Sequence, residues 1–399
     1  MRILTSIYAA GARYRPFVAT LALSGIAYGL YRGVQDNYLA EIVGITAFER
    51  GLVEFFREMP GLLVVFILAL MHHFSDSRIF KIGTAICSLG LLGLLAGGTG
   101  KVFVVALMVV YSLGEHIIMP VRSSISMDLA QAGKGGESMG LTGSLGQIGN
   151  IAGFIIVIVL FRFFDANFKL IFALAAVLAV AASIISIFIK APEEQPKRKK
   201  LYFAKKYRKY YMLEVFYGSR KQIFLTFAPY VMILVYGADA SIISFLLAIC
   251  AVFGAILSPV IGKLIDYLGY RFIMVLDTII LVPVCLIFGF AHVIFPKDIA
   301  FIIVCANFVL DSIISLASMA SSVYVKDIAD ASEEVTATLS TGVSVNHVIS
   351  ILIALCGGFI WHSFGVELLF SLSAVLGIIN SLYAATVTGL HSRGRLKAT

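Results

Sequence analysis

The sequence is poor in charged residues. Charged side chains make up 14% of the 399 residues and hydrophobic ones 60%, with a mean hydropathy of +0.96, whereas soluble domains carry about 25% charged residues. This scarcity of charge excludes a soluble globular chain. The apolar runs are about 20 to 27 residues long, which fits helices crossing a hydrocarbon core of roughly 30 Å and excludes barrel strands of about 10 residues. We therefore predict an all-α integral membrane protein.

Motifs of enzymes and of structural metal sites are also missing. The five cysteines lie inside apolar runs without C-x-x-C spacing, so we expect them to pack as small hydrophobes. No H-E-x-x-H, G-x-S-x-G or phosphate-loop pattern is present, and no soluble signalling domain accompanies the apolar runs. These absences disfavour a membrane enzyme and a non-transporting sensor, and no cofactor is expected.

One long polar stretch interrupts the chain. Residues 190–209 contain nine Lys or Arg among 20 residues and separate two apolar halves. We predict that they form a cytoplasmic linker between a bundle at 1–189 and a second bundle at 210–399. The interleaved tyrosines would also suit a nucleic-acid patch, but a basic segment beside membrane spans more simply faces anionic lipid headgroups. Membrane lipids, and not nucleic acid, are the expected partners.

Charged residues, glycines and prolines divide the chain into twelve predicted spans. With the N-terminus inside, the inner segments hold 21 Lys or Arg, the outer loops five and the spans five. This asymmetry follows the positive-inside rule, so we predict a multi-pass protein of the cell (inner, cytoplasmic) membrane with both termini cytoplasmic. The predicted spans are 16–39, 51–71, 82–98, 102–127, 138–161, 170–189, 210–236, 241–262, 272–294, 299–325, 335–361 and 365–388.

The two halves resemble each other. Gly44-Ile45-Thr46-Ala47 before the second span matches Gly237-Ala238-Asp239-Ala240 before the eighth, at an offset of 193 residues. Spans four and five match spans ten and eleven at an offset of about 197. A pair of six-helix repeats with a site between them is a recurring transporter design. We therefore predict two pseudo-symmetric six-helix bundles.

The most specific short pattern lies between spans eight and nine. Residues 262–271 read GKLIDYLGYR; the glycines allow a tight turn, the Asp can lie at a helix end, and the Arg can pair across the loop. This pattern resembles the G-x-L-x-D-x-x-G-x-R loop of the major facilitator superfamily. The resemblance implies that fold, and a loop that latches the cytoplasmic side through Gly262, Asp266, Gly269 and Arg271.

The copy that the resemblance places between spans two and three is degenerate. Only Asp76 and Arg78 are recognisable there, and we assign them to the same gate. The preceding His72-His73 pair is expected to be solvated, with a metal site as the weaker alternative. Span five resembles the glycine-rich fifth span of the family's antiporters without their Gly-Pro step. Its glycines should allow close helix approach: Gly140, Gly143, Gly146, Gly149 and Gly153.

Ionisable residues inside spans are costly and are functional candidates by default. In span one, Arg32 and Asp36 are spaced for an ion pair at i, i+4, and Glu54, Arg57 and Glu58 near the outer end of span two could join it. We favour a structural ion-pair group here. Its position would also suit an extracellular gate formed by Asp36 and Arg57.

Spans four and ten carry polar groups at similar depth. Glu115 and His116 lie near the middle of span four, with Arg122 on the same face as Glu115. A polar stripe on span ten should face protein or water and not lipid. Its members are Asn307, Asp311, Ser315, Ser318 and Ser322.

Spans one, four, seven and ten line the central cavity in the family that the chain resembles, so the resemblance implies that their polar residues converge. We predict a monomeric transporter that moves a small polar solute by alternating access, coupled to protons. The predicted proton-coupling residues are Glu115, His116, Asp311 and His347. The predicted substrate-binding residues are Tyr28, Arg32, Arg122, Tyr217, Arg220, Lys221 and Asn346.

Two other transport functions stay open, namely efflux of amphipathic drugs or lipids and movement of a divalent metal through the histidines and carboxylates. The charge of the solute is also open, because three deep bases, Arg122, Arg220 and Lys221, face three deep acids. Arg220 and Lys221 are about 100° apart on their helix, so Glu214 cannot readily serve both. This favours an anionic substrate bound by Arg220.

Overall fold

The computed structural model describes residues 7–8, 14–131, 134–190 and 203–389. Within these ranges the regular secondary structure is helical, short turns and loops join the helices, and one isolated bridge links Tyr8 and Ala130. The helices are α1 (Arg15–Asn37), α2 (Ala47–Leu70), α3 (Asp76–Ala96), α4 (Lys101–Asp128), α5 (Gly135–Phe163), α6 (Phe168–Ser186), α7 (Arg208–Tyr236), α8 (Ala240–Leu268), α9 (Tyr270–Ile294), α10 (Lys297–Ile314), α11 (Met319–Ile328), α12 (Ser332–Phe364) and α13 (Val366–Ala384).

These helices match the predicted twelve-span, all-α architecture. Ten segments are long and apolar enough to cross a membrane, and one of them, Lys297–Ile328, comprises α10 and α11. The other two long helices are α2 and α7, which are more polar; α2 alone contains five charged residues. A π-helical turn, Tyr38–Ile42, continues α1. The multi-pass membrane fold is therefore confirmed.

The repeat seen in the sequence has a structural cause. Gly44 and Gly237 both adopt positive φ angles, 69° and 77°, which glycine tolerates without steric cost. Two residues later, Thr46 and Glu49 form a reciprocal capping box at the start of α2. Asp239 caps α8 by accepting a hydrogen bond from the Ile242 amide at 2.9 Å. The same turn and cap thus begin the second helix of each half.

The chain forms two compact units. The first draws its described residues from Met1–Ile45, Phe56–Lys197 and Asp239–Ala248. The second draws them from Thr46–Phe55, Arg198–Ala238 and Ile249–Thr399. The first turns of α2 and α8 therefore belong to different units from the rest of those helices. The division into bundles on either side of 190–209 stays a prediction.

Glycines bring α1 and α5 of the first unit into backbone contact. A Cβ atom at Gly25 would lie 2.8 Å from the Gly146 carbonyl oxygen, and one at Gly153 would lie 2.5 Å from the Ile26 oxygen and 2.6 Å from the Leu30 nitrogen. Small residues at such crossings let backbones approach and gain van der Waals contact. By contrast, a Cβ at Gly140 or Gly143 would meet nothing within 4 Å. Only part of the glycine series therefore serves helix packing.

The motif at 262–271 is not a loop of several residues. Helix α8 continues to Leu268 and α9 begins at Tyr270, so only Gly269, with a φ of 88°, lies outside a helix. Asp266 is exposed in the last turn of α8, and Arg271 lies in the first turn of α9. The predicted boundary at residue 262 was wrong because a polar helical turn beyond the apolar run resembles a loop in composition.

The tenth span departs from a continuous α-helix. Residues Ser315–Ser318 form a 3-10 segment between α10 and α11. Its three residues per turn shift the helical phase, so the predicted polar stripe does not keep one face. Asn307 and Asp311 are buried, whereas Ser315 and Ser322 are exposed. The stripe is therefore buried along α10 and is no longer continuous beyond it, and whether its exposed serines face water or lipid stays a prediction.

A charged network precedes α7 in the second unit. The Lys206 ammonium lies 2.6 Å from Asp330 Oδ2 and 2.6 Å from Glu334 Oε2, and the Tyr207 hydroxyl donates to Glu334 Oε2 at 2.8 Å. The bonds to Asp330 and Glu334 raise the pKa of Lys206. Hydrogen bonds from Lys206 and Tyr207 lower the pKa of Glu334 to about 2. The ion pairs therefore persist throughout the neutral pH range.

Gly153→Ala should lower the thermal unfolding midpoint of the purified protein, because the new methyl group would press against the α1 backbone. Overpacking of this kind costs about 1–3 kcal/mol. The matched control is Gly143→Ala on the same helix, where the methyl group meets open space. Equal midpoints for the two variants would contradict the proposed role of the α1–α5 contact.

Lys206→Met should speed backbone hydrogen exchange in 203–211, because it removes the ion pairs to Asp330 and Glu334. The control Lys205→Met should not.

The stabilisation from Glu334, whose pKa is lowered, is present above its ordinary pKa of 4.5 and is lost as the pH falls towards about 2. Exchange protection of the wild-type segment, corrected for the intrinsic pH dependence, should therefore be flat from pH 5 to 8 and decline below about 4. If exchange protection does not decline below about pH 4, Glu334 does not stabilise this segment.

Candidate functional site

The second unit contains a buried guanidinium held by two carboxylates. The Nη1 atom of Arg220, on α7, lies 2.5 Å from Asp277 Oδ1 on α9. The Nη2 and Nε atoms of Arg220 lie 3.1 Å and 3.3 Å from Asp311 Oδ1 on α10. The side chains of Arg220 and Asp277 are 7% and 0% exposed. We call these three residues the Arg220 cluster.

A second polar group surrounds Glu214, which lies six residues before Arg220 on α7 and on a different face of that helix. Glu214 accepts hydrogen bonds from Ser321 on α11 at 3.0 Å and from Asn346 on α12 at 3.4 Å. Tyr217, between Glu214 and Arg220 in sequence, is buried, and its hydroxyl has no hydrogen-bond partner among the described residues. Lys221 is exposed, unlike Arg220. Of the predicted substrate residues, Tyr217, Arg220 and Asn346 therefore share this unit's polar interior.

A small cavity borders Arg220 between α7, α9 and α13. Its volume is about 10 Å³, close to the smallest space that admits one water molecule. Ser373 and Asn380 of α13 line it. Both are buried, and Ser373 Oγ and Asn380 Oδ1 lack partners within the described part of the chain. A water at this position would satisfy these two atoms.

The first unit gathers its titratable groups around Glu115. This half-buried carboxylate accepts a hydrogen bond from Tyr111 and interacts electrostatically with Arg57, Glu58 and Arg122. Tyr28 on α1 interacts in turn with Tyr111. The predicted residues Tyr28, Arg57, Glu115 and Arg122 thus lie in one neighbourhood, formed by α1, α2 and α4.

His116 is positioned by its own helix. Its Nδ1 lies 2.8 Å from the Ser112 carbonyl oxygen, so Nδ1 carries a proton and donates it. The Ser112 hydroxyl donates to the Arg57 carbonyl at 2.5 Å. These contacts with Ser112 orient the imidazole ring. His347 is half-buried on α12 of the second unit.

The predicted ion pair of span one is present. Arg32 and Asp36 are 2.6 Å apart, with side chains 10% and 0% exposed. Arg57 pairs with the adjacent Glu58, while Glu54 pairs with Arg50 at 2.9 Å. Arg50 is 1% exposed and its guanidinium lies 5.7 Å from the Tyr230 ring centroid. It is therefore a buried residue and not the outer-loop base that the charge count assumed.

The predicted gate residues of the first unit lie at the start of α3. Asp76 is buried in the first turn of the helix, where a carboxylate is favoured by the helix dipole, and Arg78 follows in the same turn. The neighbouring Ser77 hydroxyl donates to the Ile189 carbonyl at 3.3 Å. His72 and His73 are exposed, as expected.

Asp277 was not among the predicted site residues. The sequence sets three deep bases against three deep acids and leaves open that Glu115, Glu214 and Asp311 neutralise them, but Asp277 adds a fourth acid and binds Arg220 directly. The available signal was a lone carboxylate inside an otherwise apolar span. The count behind the anionic-substrate prediction is corrected accordingly, and the role of Arg220 in binding an anion stays a prediction.

Comparison with known families identifies the chain's relatives. The sequence profile of the Major Facilitator Superfamily matches residues 17–210 and again 210–397, which together cover nearly the whole chain. No curated protein sequence is significantly similar to it.

Solved transporter structures share the fold. A mutant form of the nucleoside transporter NupG superposes with a TM-score of 0.77 at 12% identity, covering 94% of this chain and 99% of its own. The D-xylose-proton symporter superposes with a TM-score of 0.74 at 12% sequence identity, covering 96% of this chain and 99% of its own. The peptide transporter POT in complex with sulfate has a TM-score of 0.74 at 14% identity, covering 98% of this chain and 99% of its own. At these identities the similarity establishes the fold alone.

Arg220→Gln should lower the thermal midpoint strongly, because it leaves two buried carboxylates without their cation. Breaking a buried ion pair from one side costs about 3–5 kcal/mol. Adding Asp277→Asn and Asp311→Asn to Arg220→Gln should recover most of that loss. The matched control is Lys221→Gln, at an exposed position. If Arg220→Gln is as mild as this control, the cluster does not contribute to stability.

Proposed function

Because the chain belongs to the Major Facilitator Superfamily, we propose that it is a secondary active transporter that moves a small polar solute by alternating access, coupled to protons. The observation that supports coupling most directly is the Arg220 cluster, in which two buried carboxylates share one guanidinium. Charged groups inside membrane helices are costly and mark ion or substrate pathways. The family membership makes the chain a transporter and not an enzyme.

We assign proton handling to the titratable groups in the interior of each unit. In the first unit these are Glu115, which interacts with two bases, and His116, whose ring is fixed through Nδ1. In the second they are Asp311 and His347. A carboxylate that meets alternating surroundings can load and release a proton, because burial and nearby bases act oppositely on its charged form.

Substrate contacts are assigned to the polar side chains that adjoin these groups. In the second unit the candidates are Tyr217, Lys221 and Asn346, the last of which contacts Glu214. In the first they are Tyr28, Arg32 and Arg122. Arg220 is shared by two carboxylates, so binding of an anion there would first require protonation of one of them. This requirement makes a neutral or zwitterionic solute the simpler substrate.

The orientation of the protein follows from its basic residues. The excess of 21 inner over five outer Lys and Arg, or four without the buried Arg50, supports a cytoplasmic position for both termini in the cell membrane. On that orientation, Asp266 and Arg271 at the α8–α9 junction, and Asp76 and Arg78 at the start of α3, lie on the cytoplasmic side as gate residues. We expect a monomer.

The proposal is tested by transport in proteoliposomes under an imposed pH gradient. A thermal-shift screen selects the solute, since a ligand that binds only the folded protein raises its stability; nucleosides, dipeptides and pentoses are the first panel. Wild type should accumulate the selected solute when the gradient is imposed. Glu115→Gln and Asp311→Asn should each abolish accumulation, because the exchangeable proton is gone, and at least one should retain counterflow.

Glu137→Gln is the matched control, because Glu137 is an exposed glutamate in the first turn of α5. It should accumulate solute like the wild type. If Glu115→Gln and Asp311→Asn both remain gradient-driven, the coupling group lies elsewhere or the protein is a facilitator. If no solute moves under any gradient, the transport proposal itself is wrong.

A further inference from the structure

The charges of the Arg220 cluster do not balance. One guanidinium faces two carboxylates within direct contact distance, so the cluster carries one net negative charge when both acids are ionised. An uncompensated charge in a buried site costs several kcal/mol. A proton on one carboxylate makes the cluster neutral. The question is which oxygen accepts it.

The two carboxylates are bonded unequally. Asp311 Oδ1 accepts two N–H groups of Arg220, from Nε and Nη2, and the Asp311 carbonyl oxygen accepts another bond from Nη2 at 3.3 Å. Asp277 accepts one, through Oδ1. Asp277 Oδ2 is buried and has no hydrogen-bond partner in the described chain. A bare, ionised carboxylate oxygen without a donor is the least stable arrangement in the cluster.

Among the described residues, the immediate surroundings of the cluster supply no second positive charge. The groups that interact electrostatically with Asp277 are Arg220, Asp311 and the hydroxyl of Tyr217. Cys285 on α9 and Cys250 on α8 face Asp311. Neither thiol can balance a carboxylate, so the single guanidinium remains the only cation in this group.

The helices packed around the cluster place their other charges elsewhere. Helix α13, which packs on α9, presents the uncharged Ser373 and Asn380 near the cluster. On α7, Lys221 is exposed and interacts with Glu214. The remaining described charges of α8, α9 and α10 lie towards the helix ends, where for example His292 contacts Glu367 of α13.

We propose that Arg220, Asp277 and Asp311 form a single proton-binding site that holds one proton on Asp277 Oδ2. The proton comes from hydronium, which becomes water, and no bond between heavy atoms forms or breaks. Protonated Asp277 still accepts the Arg220 bond through Oδ1, while Asp311 stays ionised and balances the guanidinium. This inference deepens the proposed function and rests on it, because it names the coupling site in the second unit. It keeps Asp311 as a member of that site but places the proton on Asp277, which loses it when Asp311 is replaced by Asn.

The cavity beside Arg220 is the nearest described space for water. It is large enough for about one water and is lined by Arg220, Ser373 and Asn380, while Asp277 itself is fully buried.

The test is infrared spectroscopy of the purified full-length protein in lipid nanodiscs at pH 7, which measures the C=O band of protonated carboxylic acids. Relative to wild type, Asp277→Asn should lose one carboxylic acid per protein. Asp311→Asn should also lose one, because the remaining Asp277 then balances Arg220 and ionises. Arg220→Gln should gain one, since both acids lose their cation. The control Asp298→Asn, at an exposed residue of α10, should leave the band unchanged.

Conservative variants locate the proton. The band to follow is the carboxylic acid C=O band that disappears in Asp277→Asn. Asp277→Glu should shift the frequency of this band, whereas Asp311→Glu should leave its frequency unchanged. The reverse pattern would put the proton on Asp311 and overturn the assignment. If the carboxylic acid C=O band is unchanged in Asp277→Asn, the proposed proton-binding site is wrong. Asp277→Asn should also keep the wild-type thermal midpoint, because an amide has the shape of the neutral acid, so its spectrum is interpretable even if Arg220→Gln does not fold.

These spectra need no substrate, so they separate the two proposals. If the bands behave as expected and no solute accumulates under a pH gradient, the proton site stands and the transport coupling fails. If accumulation occurs and the Asp277→Asn band is unchanged, the coupling proton binds elsewhere and this inference fails.

Discussion

A guanidinium buried among membrane helices must be neutralised, and this constraint organises the second unit. Arg220 cannot reach bulk water from its 7% exposed position, so α9 and α10 each bring a carboxylate to it. Helix α7 is thereby tied to the consecutive helices α9 and α10, because rotating any of the three about its axis would break a buried hydrogen bond to the guanidinium. Asn307 adds a further bond from α10 to α9, at the Val284 carbonyl.

The first unit depends on close backbone approach as well as on charge. Its α1–α5 contact is built on glycines that leave no room for a side chain. Two of its ion pairs join residues of the same helix: Arg32 with Asp36 one turn later, and Arg57 with the next residue in the chain. The glycine contacts, and not these two pairs, hold α1 against α5.

Much of this architecture could be predicted from the sequence, since the determining properties are local or periodic. Long apolar runs indicate spans, and a glycine before a capping residue marks the start of α2 and α8. The Arg32–Asp36 pair followed from i, i+4 spacing. Asp277 was missed because a hydropathy window averages one carboxylate into an apolar run, and its partner lies 57 positions earlier. Such a pair depends on tertiary packing that periodicity does not encode.

The break in the tenth span illustrates the same limit. A helical wheel assumes a constant 100° per residue, but Ser315–Ser318 adopt a tighter turn and rotate every later side chain. The buried polar face therefore ends at Asp311, the residue that contacts Arg220. This makes Asp311 the last buried stripe residue before the change of phase, next to a segment type that often marks a hinge.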